Sequence, residues 1–217
     1  MAGIALAAQL GYRGVEFDVM LSGDGEPLLI HDETLERTTS GSGLVAATPL
    51  AALRRLDAGA RFHRAYGGEK LPTLAEAAEL CRRLQLIANV EIKPAPGREK
   101  ETGEAVGRLL AGGDAAMMLL SSFAPAALAA AAEAAPQLPR ALLFEAVPAD
   151  WRAQLAALGG RGLHCAATGM DAALAAELAA AGMPWAAYTV NRRDEAERLF
   201  GLGAAALFTD RLDLFRP

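Results

Sequence analysis

Short continuous apolar runs and longer stretches of helical spacing alternate along most of the chain. Beyond residue 85, the apolar runs predict strands over residues 86–92, 117–122, 140–144, 162–166, 185–190 and 205–209. The segments between these runs predict helices over residues 100–110, 125–135, 150–158, 171–181 and 194–201. Continuous apolar strands that alternate with helices indicate a parallel sheet covered by helices, so the predicted fold class is α/β.

The N-terminal part of the chain predicts a helix followed by a hairpin. The spacing favours a helix over residues 2–10, a strand over residues 14–20 and a second apolar run over residues 28–31. The sequence Ser-Gly-Asp-Gly at residues 22–25 is typical of a hairpin turn, so the second run folds back beside the strand. With the strand at residues 14–20 there are seven parallel candidates, one fewer than a (β/α)₈ barrel contains.

The segment after this hairpin is irregular. Residues 32–62 have weak periodicity and several Gly and Thr residues, with a single helical piece at residues 49–55. Regular structure resumes where Thr73 and Glu76 form a capping box for a helix over residues 74–84. The pattern therefore predicts an excursion from an otherwise regular α/β unit.

Composition restricts the class of protein and its partners. The chain has 217 residues, of which 53% are hydrophobic and 22% charged, as expected for one folded domain over residues 1–217. The net charge of −5, without a block of like charge, argues against a nucleic acid or an anionic membrane surface as partner. A small anionic substrate stays compatible with this charge, because a bound metal can reverse the local sign.

The chain shows no targeting or redox motif. Its first residues lack the basic region of a signal peptide, and the apolar stretch at residues 117–132 is interrupted by Ser and Pro. We therefore expect a cytoplasmic protein without membrane insertion. Cys81 and Cys165 are not in a Cys-x-x-Cys motif and are expected to be buried, reduced thiols.

Acidic residues gather at the ends of two predicted strands. Glu16 and Asp18 are two residues apart, and therefore point to one face of the first strand. Glu91 ends the next parallel strand, where it can reach the same edge of the sheet. Three close carboxylates must protonate, pair with a cationic side chain such as Lys93, or hold a metal ion. Oxygen ligands alone favour Mg²⁺ or Ca²⁺.

His31 and Lys93 are candidate functional residues with structural alternatives. The hairpin brings His31 back toward the carboxylates, where an imidazole suits acid/base work at neutral pH, although such a histidine is often simply packed and hydrogen-bonded. Lys93 could hold a phosphate or pair with a carboxylate. His63 lies in the irregular segment and is expected at the surface, whereas the pattern does not decide which way His164 faces.

The combined motifs resemble the glycerophosphodiester phosphodiesterase family, most closely its bacterial cytosolic branch. The resemblance covers nearly the whole chain, in the order of the family, and rests on the segments VEFDVMLSGDGEPLLIHDETLERTTSGSG, LDAG, LPTLAEAAELC, NVEIKP, LLSSF, AYTVN and ALFTD. It implies a TIM-type (β/α)₈ barrel with a small insertion after the second barrel strand, at roughly residues 21–70. The chain itself lacks the first barrel strand of that fold.

The resemblance also implies a reaction and a site. The reaction is hydrolysis of glycerophosphodiesters, which are deacylated phospholipids, to sn-glycerol 3-phosphate and an alcohol. A divalent cation, Mg²⁺ or Ca²⁺, would neutralise a phosphoryl oxygen and activate the nucleophile. Direct attack by water and prior formation of a cyclic phosphate both remain open. The implied residues are Glu16, Asp18 and Glu91 for the metal, His31 as one of two catalytic histidines, Lys93 for the phosphate, and Phe123 and Tyr188 for the pocket.

One departure from the family bears on activity. The family begins with a strand ending in His-Arg-Gly, followed by Pro-Glu-Asn-Thr and a helix, whereas this sequence starts inside that helix. We expect that Met1 is an internal methionine and that the natural protein is longer, because a missing central strand would leave a gap in the core. Residues 1–217 alone should then be weak catalysts, since one acid/base partner contributes about 10²–10⁴-fold.

Two other functions stay open from the sequence. The first is an N-terminally truncated barrel that binds metal and phosphodiester with little or no turnover. The second is an unrelated TIM-barrel isomerase or aldolase that acts on sugar phosphates with the same three carboxylates, which the segments HDETLERTT and LPTLAEAAELC argue against. The sequence does not indicate the head group, the choice between the two metals or the oligomeric state.

Overall fold

The computed structural model describes residues 1–215 of the chain. Its strands are β1 (Gly14–Leu21), β2 (Pro27–Leu29), β3 (Ile87–Ile92), β4 (Met118–Ser122), β5 (Arg140–Phe144), β6 (Gly162–Ala166), β7 (Trp185–Tyr188) and β8 (Ala206–Leu207). Its α-helices are α1 (Ala2–Gln9), α2 (Leu50–Leu53), α3 (Leu74–Leu84), α4 (Glu99–Leu110), α5 (Pro125–Ala134), α6 (Trp151–Leu158), α7 (Ala172–Ala180) and α8 (Arg193–Gly201). Three short 3₁₀ helices span Val45–Ala47, Arg64–Tyr66 and Ala167–Gly169.

The strands form one curled sheet in the order β2-β1-β3-β4-β5-β6-β7-β8. Within residues 1–215 all neighbouring strands are parallel except β2, which pairs antiparallel with β1. No pairing within these residues joins β8 to β1 or β2, so the sheet is a half-barrel. The predicted α/β fold of barrel type, with seven parallel strands, is confirmed. The last two strands are shorter than the sequence predicts.

The hairpin between β1 and β2 determines where His31 lies. Ser22 donates its backbone N–H to the Glu26 carbonyl over 3.0 Å, and Gly25 adopts a positive φ of 84° that favours glycine. The register pairs Met20 with Leu28, and the predicted hairpin is confirmed. The chain therefore returns along β1 from Leu21 to the level of Asp18.

Alternation along β3 separates the core from the candidate site. Val90 and Ile92 are fully buried in the main apolar cluster, which also contains Val106 of α4 and Leu128 of α5. Side chains of a strand point alternately to its two faces, so Glu91 points away from these helices, toward the concave side of the sheet. The burial of such large side chains stabilises the fold by about 1.5–3 kcal/mol each, and it fixes the direction of the acidic residue between them.

A second apolar cluster holds the irregular segment between β2 and α3. Its buried members are Met20, Leu28, Ile30, Leu35, Val45, Leu53 and Leu71. Asp57 organises the outer part of this segment, because its carboxylate accepts backbone N–H groups from Gly59, Ala60 and Gly68 over 2.7–2.8 Å. Asp57 therefore holds this turn together. The predicted capping box of Thr73 and Glu76 is confirmed.

Helices α4 and α5 approach each other more closely than the sequence pattern suggests. A Cβ atom added at Gly103 would lie 2.1 Å from the carbonyl oxygen of Ala127, and one at Gly107 would lie 2.8 Å from the Cβ of Ala134. These two glycines lie four residues apart on one helix face, so they allow the backbones to touch. Both cysteines are buried and unpaired, as expected. Within residues 1–215, no helix has the length and apolar character that a membrane crossing needs.

A candidate metal centre at the edge of the sheet

Three carboxylates meet at the carboxyl edge of the first two parallel strands. Asp18 of β1 lies opposite Glu91 of β3, and Glu16 lies opposite Asn89, so the acidic side chains share one face. Glu16, Asp18 and Glu91 each offer an oxygen atom, and these atoms lie within 4.8 Å of one another. The structure thus brings together the three residues that the sequence singles out as metal ligands.

The electrostatics of these carboxylates are unfavourable without a counter-ion. Burial, and then repulsion by Asp18, raises the pKa of Glu91 to about 7. Glu16 reaches solvent at the open edge of the sheet, but removal of its carboxyl group from bulk water, followed by the charges of Asp18 and Glu91, raises its pKa to about 8. Solvent weakens the repulsion by Asp18 and Glu91 but does not change its sign, so the direction of the shift holds despite this exposure.

Lys93 supplies positive charge to the same cluster. Its Nζ atom lies 3.3 Å from Oδ1 of Asp18, so the ion pair that the sequence left as an alternative is present. One ammonium group beside three carboxylates leaves an excess of negative charge, which a divalent cation would relieve. The donor set consists of carboxylate oxygens, the ligands that Mg²⁺ and Ca²⁺ prefer, and therefore fits such an ion.

His31 lies at the same edge because of the hairpin. The backbone N–H of Ile30 donates to the carbonyl of Asp18 over 3.2 Å and extends the pairing beyond β2. His63 is exposed, as expected, and its Nδ1 accepts the N–H of Ala65. His164 is 5% exposed, with its ring centroid 4.9 Å from that of Phe208, and burial lowers its pKa to about 4.

Two aromatic residues, one directly after β4 and one at the end of β7, contact each other across the concave side of the sheet. The rings of Phe123 and Tyr188 contact each other edge to face, with centroids 5.9 Å apart and an interplanar angle of 79°. The Tyr188 hydroxyl donates to the carbonyl of Phe144 over 2.8 Å. Burial, followed by nearby acidic groups, raises the Tyr188 pKa to about 12, so the phenol remains a donor at neutral pH. Phe123 is 47% exposed and presents an apolar surface to solvent.

Further polar groups around the centre were not assigned roles from the sequence. Asn191 donates from Nδ2 to Oδ2 of Asp210 over 3.1 Å and accepts the backbone N–H of the same residue over 3.0 Å. The charge of Asp210, which follows β8, also contributes to the raised pKa of Glu16 on β1, so the two carboxylates interact across the opening of the half-barrel. In the sequence, Asn191 and Asp210 follow apolar runs. This position indicates that they lie at the carboxyl edge of the sheet, but it does not indicate which residues they contact.

Asn89 and Ser121 carry buried polar atoms next to the carboxylates. Asn89 lies opposite Glu16 and Ser121 opposite Glu91 in the register, and both residues are buried. Among residues 1–215, Oδ1 of Asn89 and Oγ of Ser121 have no hydrogen-bond partner. A buried polar atom without a partner is uncommon. These two oxygen atoms, next to the carboxylates, can therefore each form a further hydrogen bond.

Comparison with known proteins agrees with this fold and site. A phosphodiesterase of Oleispira antarctica, solved in complex with the product sn-glycerol-3-phosphate, superposes with a TM-score of 0.91 at 38% identity, over 96% of this chain and 85% of its own. A glycerophosphodiester phosphodiesterase of Agrobacterium tumefaciens superposes with a TM-score of 0.79 at 25% identity, over 99% of this chain and 91% of its own. The glycerophosphodiester phosphodiesterase of Caldanaerobacter subterraneus is 31% identical over 97% of this chain and 87% of its own.

The curled α/β sheet and its acidic edge define an enzyme of the TIM-barrel type. Residues 1–214 match the glycerophosphoryl diester phosphodiesterase family, and the chain belongs to that family. The resemblance and the enzyme class that the sequence predicts are therefore confirmed.

Proposed function

We propose that this protein hydrolyses glycerophosphodiesters to sn-glycerol 3-phosphate and an alcohol in a reaction that depends on a divalent cation. The observation that carries the proposal is the meeting of Glu16, Asp18 and Glu91, whose oxygen atoms lie within 4.8 Å of one another in a chain of this family. The product class is supported by the Oleispira antarctica relative, which was solved with sn-glycerol-3-phosphate.

The three carboxylates are the groups that would hold the cation, Mg²⁺ or Ca²⁺. A cation bound there would neutralise a phosphoryl oxygen and favour formation of the nucleophile. Without it, the centre repels the phosphodiester anion, because three carboxylates outnumber the single ammonium group of Lys93. Burial, and then the same excess of negative charge, raises the pKa values of Glu16 and Glu91.

Lys93 and His31 would have different roles in the reaction: Lys93 would bind the phosphate and His31 would transfer a proton. The Nζ atom of Lys93, 3.3 Å from Asp18, would bind a phosphate oxygen while its carboxylate partner binds the cation. His31 would transfer a proton, either from the attacking hydroxyl group or to the oxygen of the leaving alcohol. Hydrolysis adds the hydroxyl group of water to phosphorus and its proton to the alcohol, so this transfer is needed once per turnover.

Phe123 and Tyr188 would form an apolar wall of the substrate pocket. Their edge-to-face contact and the bond from Tyr188 to Phe144 fix the two rings against each other. Such a wall can contact carbon atoms of the glycerol or the alcohol group without imposing a charge requirement. We include in the proposal a cytoplasmic role in the breakdown of deacylated phospholipids, with no membrane insertion and no nucleic acid partner.

A second candidate is a protein that binds metal and phosphodiester with little turnover. The specific observation in its favour is the opening of the half-barrel between β1 and β8 within residues 1–215, which leaves Glu16 exposed. Of the three histidines, His31 follows Ile30, whose N–H binds the Asp18 carbonyl, whereas His164 is buried against Phe208 and His63 caps a 3₁₀ helix. One proton moves from water to the alcohol in each turnover, and a single acid/base group at the centre would have to both accept it and donate it, which would slow the reaction.

The experiment is to follow glycerophosphocholine by ³¹P NMR with the purified chain in Mg²⁺, in Ca²⁺ and in EDTA. The proposal predicts sn-glycerol 3-phosphate and choline in one of the metals and none in EDTA, with any cyclic phosphate visible as a separate signal. His31→Ala should slow the reaction by about 10²–10⁴-fold, whereas His63→Ala should leave it unchanged. Metal-dependent binding without product favours the second candidate, and neither binding nor product contradicts both.

A further inference from the structure

Three side chains that follow β2 form a series of hydrogen bonds ending at His31. The Nδ1 atom of His31 lies 2.7 Å from Oδ1 of Asp32. Arg37 donates from Nη2 to the same Oδ1 over 2.7 Å, and from Nε to Oδ2. Both oxygens of Asp32 are thus bound by one planar guanidinium group, an arrangement that fixes the orientation of a carboxylate.

The His31 ring depends on this contact for its orientation. The His31 side chain is 60% exposed and that of Asp32 only 23%. An exposed imidazole exchanges between rotamers unless a hydrogen bond selects one of them. The better buried and doubly bound carboxylate is therefore the fixed point, and the imidazole is the group that it orients.

The contact also determines which ring nitrogen carries the proton. An ionised carboxylate can only accept, so Nδ1 of His31 must be the donor toward Asp32. Neutral His31 then has its proton on Nδ1 and a free lone pair on Nε2. Nη2 of Arg37 lies 3.4 Å from Nδ1 and is itself a donor. If Asp32 were removed, Arg37 would compete for Nδ1 and favour the tautomer with the proton on Nε2.

Arg37 keeps this acceptor ionised. Its hydrogen bonds, with a smaller contribution from His31, hold the pKa of Asp32 well below the ordinary value. The charge of Arg37 also offsets that of Asp32, so the pair presents little net charge to the imidazole. Asp32 therefore acts on His31 mainly by orienting its ring and by selecting its tautomer.

We propose that Asp32, fixed by Arg37, is a positioning residue that orients His31 and keeps the proton of its neutral imidazole on Nδ1, leaving Nε2 free for proton transfer at the carboxylate edge. This role rests on the proposed function, in which His31 moves the proton. The orientation itself is a property of the protein without substrate or metal, and it is tested separately.

The first test is the ¹⁵N NMR spectrum of the full chain labelled at histidine, in EDTA and at a pH where imidazole is neutral. His31→Gln assigns the His31 signals. The proposal predicts a pyrrole-type Nδ1 and a pyridine-type Nε2 in the wild type, and the reverse in Asp32→Ala. Glu79→Ala, which removes the equally two-pronged ion pair with Arg82 on α3, is the control and should change nothing. A wild-type proton on Nε2, or an Nδ1 proton that survives Asp32→Ala, overturns the proposal.

The second test is the steady-state rate of the same variants in the presence of metal. Asp32→Ala should lower kcat by about 10- to 100-fold with KM within about twofold, the size of effect found when a partner that orients a functional histidine is removed. Asp32→Glu should recover part of this loss. Arg37→Lys should have a kcat between those of the wild type and Asp32→Ala, because lysine keeps the positive charge but cannot form the two parallel hydrogen bonds of a guanidinium group. Equal loss in Asp32→Glu and Asp32→Ala contradicts positioning.

The two tests separate the failure of this role from failure of the proposed function. If no variant and no wild-type protein turns over phosphodiester, the proposed function fails, and the tautomer in the NMR spectrum still decides whether Asp32 positions His31. If the wild type is active but its tautomer does not respond to Asp32→Ala, the positioning role fails alone.

Discussion

Asp18 on β1 and Glu91 on β3 lie directly opposite each other in the parallel register of the sheet. Neighbouring strands are about 4.8 Å apart, so the backbone itself forces these two carboxylates together. Glu16 joins them from the same strand face, and the three ligand oxygens lie within 4.8 Å of one another. Because the main chain imposes this proximity, its cost must be offset by protonation, by Lys93 or by a cation.

The first prediction concerns cation affinity. Glu16→Gln, Asp18→Asn and Glu91→Gln each remove one negative ligand, and each should weaken Mg²⁺ or Ca²⁺ binding by about tenfold or more, because a hard cation binds carboxylate oxygens. Isothermal titration calorimetry on the metal-free protein measures this. Glu133→Gln, which changes an exposed carboxylate on α5, serves as control. Equal affinity in all four variants would show that the cation binds elsewhere.

The second prediction concerns the pH dependence of stability in EDTA. The folded pKa values of Glu16 and Glu91, about 8 and about 7, lie above the ordinary value of 4.5. The folded state therefore holds more protons than the unfolded state between pH 4.5 and 8, and the free energy of unfolding falls as pH rises through this range. The buried Glu91 alone should account for about 3 kcal/mol of this decline.

Urea unfolding of the wild type and of the double variant Glu16→Gln/Glu91→Gln between about pH 5 and about pH 8.5 isolates this contribution. As pH rises over this range, the unfolding free energy of the wild type should fall steadily relative to that of the double variant. Saturating Mg²⁺ or Ca²⁺ should remove the decline, because the bound ion stabilises the charged carboxylates. A constant difference across the range would contradict the raised pKa values of Glu16 and Glu91.

The third prediction separates the two roles of Lys93. Its ammonium group competes with a cation for Asp18 and would also bind the phosphate. Lys93→Met should therefore raise KM for glycerophosphocholine, and lower kcat/KM by about 10- to 100-fold, while cation affinity stays equal or increases. Lys100→Met, at an exposed position on α4, is the matched control. A parallel loss of cation affinity would mean that Lys93 mainly maintains the structure of the centre.

The fourth prediction concerns the contact of α4 with α5. Gly103→Ala places a Cβ atom 2.1 Å from the carbonyl oxygen of Ala127, so the helices must separate. The free energy of unfolding should fall by about 1–3 kcal/mol, although alanine is the better helix former. Gly112→Ala, where nothing lies within 4 Å of the added atom, should be nearly neutral. Equal stability of both variants in urea would show that this contact is not tightly packed.

The sequence predicts the parts of this molecule that depend on local pattern. Alternation along β1 and β3 places Asp18 and Glu91 on one face, and the turn at residues 22–25 returns the chain toward them. Both follow from the two-residue period of a strand and from turn chemistry. The location of the acidic centre is therefore encoded in short-range features of the amino-acid sequence.

Other contacts depend on packing that has no local signal. Arg37 reaches Asp32 through an irregular segment whose path is determined by a separate apolar cluster. The direction of His164 depends on the register of β6 with β7, and its contact with Phe208 joins residues far apart in the chain. The close approach of α4 and α5 at Gly103 depends on the position of the neighbouring helix, so the spacing of Gly103 and Gly107 in the sequence did not predict it.

The most direct test of the central claim is the rate of sn-glycerol 3-phosphate release from glycerophosphocholine by protein that has been stripped of metal and then resupplied with Mg²⁺ or Ca²⁺. We predict no release in EDTA, recovery on addition of one of these ions, and loss of that recovery in Glu91→Gln but not in Glu133→Gln. Release that continues in EDTA, or that recovers equally in Glu91→Gln, would contradict a reaction centred on Glu16, Asp18 and Glu91.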